Sequence, residues 1–65
     1  MHTFKYNDSV HWHSEDGRFR VVHRAHSGRY HVEEWDNGYW EGASLGDDTL
    51  DEAIIVARKI IKEEA

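Results

Sequence analysis

The chain has 65 residues with no cysteine and no proline, a formal charge of −5, and 38% hydrophobic content. A chain this short buries only about 60% of the surface its unfolded form exposes, so one domain, residues 1–65, is the limit. A disulfide-stapled scaffold and a cysteine-type zinc site are excluded by the missing thiols. No apolar run approaches the ~20 residues needed to cross a bilayer, and residues 1–15 carry no signal-peptide pattern. The expectation is therefore a soluble cytoplasmic protein with no membrane partner.

The charge is unevenly spread. Residues 1–32 hold five Lys/Arg against three Asp/Glu, a balance of +2, and residues 33–65 hold three against ten, a balance of −7. All six histidines (His2, His11, His13, His23, His26, His31) lie in the first half. Imidazoles charge near pH 6, which moves the formal charge toward +1 in mild acid.

In chain order, the segment His2 to Asn7 alternates, with Phe4 and Tyr6 on one side, and reads as a fifth strand or an edge-closing flap. Three glycine turns follow, Asp16-Gly17, Ser27-Gly28 and Asn37-Gly38, the first and last of them favoured type I′ hairpin pairs. The runs around them, Val10 to Ser14, Phe19 to Ala25, Tyr30 to Trp35 and Tyr39 to Leu45, are rich in β-branched and aromatic residues. They predict an antiparallel meander of three or four strands over about residues 9–45. After Gly46 the period changes. Thr49 with Glu52 three residues on reads as a capping box, each satisfying a backbone N–H of the first turn. Asp47, Asp48 and Asp51 suit the helix dipole. Leu50, Ala53, Ile54, Ala57, Ile60 and Ile61 form one stripe of a helix over about 49–64, with Ile55 on the opposite side. The expected fold is α+β, ββββα, with one helix covering one sheet face.

Two-residue loops fix register. They pair His13 with Arg20, Trp12 with Val21, His11 with Val22, Arg24 with His31, His23 with Val32, and Trp35 with Trp40. The helix-side face then collects Val10, Trp12, Phe19, Val21, Ala25, Tyr30, Val32, Tyr39, Ala43 and Leu45, with Glu34 and Glu41 opposed at its rim. The other face carries His11, His13, Arg18, Arg20, Val22, Arg24, His31, Glu33, Trp35 and Trp40, with a row His13, Arg20, Trp35, Trp40.

A lone helix leaves this second face uncovered, so it is the candidate site. Its binding set is His13, Arg18, Arg20, Arg24, His31, Trp35 and Trp40, because Trp and Arg dominate binding hot spots. Arg20 stacked on Trp35 and a stiffening Trp pair is the structural alternative. His11 and His13, two apart on a strand, point the same way, yet their spacing matches no zinc pattern, and no cofactor or metal is expected. Catalysis has little support: there is no cysteine nucleophile, no phosphate-cradling glycine loop and too little chain for a deep cleft. Ser9, Ser14, Ser27 and Ser44 near His and Asp are what this composition produces by chance.

The stretch Gly28 to Ile61, with Gly28-Arg29-Tyr30, Tyr39-Trp40 and Thr49-Leu50-Asp51-Glu52-Ala53, resembles the strand-strand-strand-helix DNA-binding domains of the AP2 and integrase arm-binding type. That resemblance implies DNA contacts through Arg18, Arg20, Arg24, Trp35 and Trp40. Overall acidity and Glu33 at the centre of the face depart from it. The Thr-Leu-Asp-Glu-Ala helix opening is also similar to short phage-encoded inhibitors of host machinery, including those of bacterial RNA polymerase, which implies protein contact. Two functions follow: a non-enzymatic, regulatory or inhibitor-like protein-binding module, or a DNA- or RNA-binding module using the same face. A homodimer through Ile55 or a sheet edge is a further partner expectation.

Overall fold

A computed structural model describes residues 8–64; the expected N-terminal strand or flap lies outside the described residues. The chain forms β1 (Ser9–His13), β2 (Phe19–Arg24), β3 (Arg29–Asp36), β4 (Tyr39–Gly42) and α1 (Leu50–Glu64). The strands make one antiparallel sheet in the order β1-β2-β3-β4, and α1 packs on β2 and β3. The expected ββββα arrangement is the one observed.

Each turn sets its register differently. At Asn37-Gly38 both residues have positive φ, 48° and 95°, as a type I′ turn demands, and Trp35 faces Trp40. The β1–β2 turn keeps the expected Trp12–Val21 and His13–Arg20 pairs but not the type I′ geometry. It is a four-residue loop pinned by Ser14, whose N–H donates to the Phe19 carbonyl at 2.9 Å and whose hydroxyl oxygen accepts the Phe19 N–H at 3.0 Å. The β2–β3 turn also spans four residues, 25–28, with Gly28 N–H donating to the Arg24 carbonyl at 2.8 Å. This replaces the expected two-residue Ser27-Gly28 turn, so Arg24 pairs with Arg29, His23 with Tyr30, and Val22 with His31. A shift of two preserves the faces and moves every partner along by one pair.

A bulge at His11 is the second correction. Val10 faces Val22 and Trp12 faces Val21, leaving His11 as the extra residue. His11 therefore leaves the open face and joins His23 and Tyr30, with ring centroids 6.2 and 5.5 Å away. His11 and His13 do not share a face.

Phe19, Val21, Val32, Ala53 and Ala57 form the buried core, each contributing through apolar surface removed from water; the large ones are worth about 1.5–3 kcal/mol apiece. Ala53 and Ala57 are small enough to let α1 lie close on the sheet. Leu50, Ile54, Ile60 and Ile61 flank them as expected, joined by Val56. Val10, Ala25, Tyr39 and Leu45, expected on the covered face, are exposed: the bulge turns Val10 over, and Ala25 and Leu45 sit in loops. At the helix start Thr49 Oγ1 accepts the Glu52 N–H at 3.2 Å, while the Glu52 carboxylate accepts from the Thr49 hydroxyl at 3.0 Å and not from its backbone N–H.

Beyond β4 the chain continues alongside β3. Ala43 N–H donates to Val32, the Ser44 hydroxyl oxygen accepts the Val32 N–H at 2.9 Å, and Asp47 exchanges both backbone bonds with Tyr30. Two residues more than a regular ladder needs are accommodated here, and Leu45 is thrown outward, 95% exposed.

Candidate functional site

Alternation along the strands puts Arg20, Val22 and Arg24 of β2, and Arg29, His31, Glu33 and Trp35 of β3, on the face away from α1. Trp40 joins them through its pairing with Trp35. At the centre is Glu33, 8% exposed. Its carboxylate accepts from Arg20 Nε at 2.7 Å and from an Arg24 terminal nitrogen at 2.8 Å. The Arg20 guanidinium in turn lies 4.2 Å from the Trp40 ring centroid, and Trp40 meets Trp35 edge-on at 5.3 Å and 65°. Arg24, Glu33, Arg20, Trp40 and Trp35 are thus one connected chain of contacts. Its outer end, Trp35, is 45% exposed.

Of the seven expected binding residues, the structure brings Arg20, Arg24, Trp35 and Trp40 together. The row runs His13, Arg20, Glu33, Gly42, not His13, Arg20, Trp35, Trp40, because the β2–β3 register is shifted. Arg20 accordingly stacks on Trp40, not Trp35. His13 is exposed at the β1 end of that row. Arg18 is drawn away from the face, to Glu34 at 2.9 Å and to Glu64 of α1 at 3.3 Å. His31 is buried: its ring closes on Gly46, and its Nε2 is 3.1 Å from the Ser27 hydroxyl. No partner can reach it without displacing that loop. The sequence places Glu33 on this face and marks it as a departure from the DNA-binding pattern; its role as clamp for two arginines becomes visible once the register is right.

The serines have structural work. Ser14 and Ser44 supply hydroxyl oxygens where the ladder lacks a carbonyl, and Ser14 also donates to Asp16 at 2.7 Å. That hydroxyl, with the Arg18 N–H, holds the Asp16 carboxyl below the usual carboxylate range. Beside this turn, Trp12, His13, Glu15, Asp16, Arg58 and Ile61 border a surface cleft of about 530 Å³ against the second half of α1.

Among the described residues no group of three or more His, Asp or Glu side chains is placed to hold a metal ion. No helix among them is long and apolar enough to cross a membrane. No family model, curated protein or solved structure matches the chain.

Proposed function

We propose that this chain is a small non-enzymatic protein-binding module, regulatory or inhibitor-like, acting in the cytoplasm through the open sheet face. The observation that carries this reading is the exposed Trp35 held against Trp40, with Arg20 stacked behind it and fixed by Glu33. Aromatic and arginine side chains give the largest hot-spot energies, and anchors already locked by neighbours lose little rotamer freedom on binding. The same clamp argues against phosphate recognition, because Arg20 and Arg24 already share a carboxylate and a docking phosphate meets Glu33 beneath them.

Affinity capture with the wild-type chain and with Trp35→Ala as paired baits tests the reading. A protein recovered by the wild type and lost with the folded variant supports it. Equal recovery by both removes the face from the mechanism.

Nucleic-acid binding remains the second reading on one observation: Arg20, Arg24 and Arg29 outnumber Glu33 on this face. Its signature is binding to DNA or RNA at low salt that weakens steeply as salt is added. Absence of any binding at low salt and neutral pH sinks it.

A further inference from the structure

β4 is the last strand of the sheet, and among the described residues nothing pairs with its outer side. Backbone bonds alternate along an antiparallel strand. Ala43 directs its N–H inward to Val32, so the N–H and C=O of Gly42 and Trp40 point outward. Soluble proteins guard such an edge with shortness, charge, Pro or a bulge, and the four-residue Tyr39-Trp40-Glu41-Gly42 has no Lys, Pro or internal bulge, its one charge being Glu41. Apolar side chains border it instead. Trp35 and Trp40 lie on the open face, Tyr39 on the other, and the protruding Leu45 just past its end.

Charge decides what fits there. Glu41 lies on the Tyr39 side, accepting from its hydroxyl at 3.3 Å, and faces Glu34 across the β3–β4 ladder. Glu34 is compensated by Arg18, whereas among the described residues Glu41 makes no ion pair. The charge and hydrogen bond of Glu41, with Asp36 nearby, push the Tyr39 phenol above its usual range. A second copy added about a two-fold axis, with Trp40 and Gly42 exchanging bonds, sets Glu41 against its own symmetry mate. Like charges directly opposed destabilise a pair. A strand bearing a cation at that position gains what the second copy loses.

Resting on the protein-binding reading above, we propose that β4 receives an extended segment of the partner protein as a fifth strand. The segment alternates basic residues, facing Glu41, with apolar residues that pack on Trp40 and Trp35. Main-chain bonds to Trp40 and Gly42 supply affinity, and the alternate side chains supply selectivity.

The probes are two capped peptides of equal length, one alternating lysine and valine, the other glutamate and valine, titrated into isotope-labelled protein and followed by amide NMR and hydrogen exchange. The lysine peptide shifts and protects the Trp40 and Gly42 amides and binds at least about tenfold tighter than the glutamate peptide. Glu41→Lys, an exposed change, reverses that order. Gly42→Pro removes an outward N–H that β3 does not use, and weakens the lysine peptide by about tenfold or more. If Gly42→Pro fails to fold by circular dichroism, Glu41→Lys alone decides. Strand addition is overturned by no response at β4 up to millimolar peptide, by an unchanged order in Glu41→Lys, or by self-association that protects β4. The two readings fail separately. Capture lost in Trp35→Ala with a silent β4 leaves docking on the face without strand addition. A responsive β4 with capture indifferent to Trp35 leaves the edge and removes the face.

Discussion

At the centre of the open face one carboxylate meets two guanidiniums, and its side chain is 11% exposed against 25% for Arg20 and 36% for Arg24. Burying Glu33 alone is costly, so the two short charge-assisted bonds are what make its position tolerable. Glu33→Gln keeps the shape and removes the charge. Both arginines stay partly in water, so the loss falls below the 3–5 kcal/mol typical of a broken deep pair and is expected at about 1–2 kcal/mol in urea unfolding. The same variant frees two cations, and its non-specific DNA binding at low salt rises above that of the wild type. Asp16 gives the pH-dependent counterpart. Its folded-state pKa is lowered by the Ser14 hydroxyl and the Arg18 N–H, so its contribution is fully present above the ordinary carboxylate range and is lost as pH falls through the lowered value. Urea midpoints of wild type and Asp16→Asn therefore differ at neutral pH, and the gap narrows as pH drops below the ordinary carboxylate range.

Each element's visibility in the sequence follows from how locally it is specified. Asn37-Gly38 is closed by backbone preference within two residues, so the Trp35–Trp40 pair is readable directly. The helix stripe is equally local, since period and cap lie within sixteen residues, 49–64. The β2–β3 turn is different. Ser27-Gly28 permits a two-residue loop, but the ladder from Tyr30 to Asp47 and the burial of His31 settle the longer one. The His11 bulge likewise has no local sign; it depends on Val10 and Trp12 finding opposite faces. Reading two-residue turns throughout therefore recovers the fold and the faces of β2 and β3, while misplacing Arg20 on Trp35, exchanging the faces of Val10 and His11, and leaving His31 in the binding set. Gly46 tests the long-range half of this argument. At φ 105° a side chain is strained, and a Cβ there meets His31 Cε1 at 2.7 Å. Gly46→Ala is expected to cost about 1–3 kcal/mol by thermal or urea unfolding, with the His31 ring signals displaced. At the other end of the sheet, Ser14→Ala strands the buried Phe19 N–H and costs about 1–3 kcal/mol. Ser14→Thr keeps the hydroxyl and recovers most of that loss.

On the scale of the whole molecule, stability and recognition sit on opposite sides of one sheet. A domain of this size has about 3–10 kcal/mol of total stability. Among the described residues, the helix-side core that supplies it has three large side chains with essentially no exposure, Phe19, Val21 and Val32. Phe19→Ala removes about 3–5 kcal/mol by transfer and cavity terms together, which is enough to leave much of the chain unfolded at 37 °C. Trp35 has a larger side chain, yet nearly half its surface is already in water and its ring meets Trp40 in a T-shaped pair. Trp35→Ala is accordingly expected to cost about 1 kcal/mol or less, the worth of one aromatic pair. A melt of the two variants side by side, with circular dichroism at the helix band, checks this asymmetry: Phe19→Ala has lost its cooperative transition or lies far below wild type, and Trp35→Ala melts within a few degrees of it. Equal losses place Trp35 in the structural core and leave the face without a residue free to spend on a partner. The asymmetry also explains the division of charge, since the arginine-bearing strands face outward on one side while the acidic residues of α1 and its approach face outward on the other.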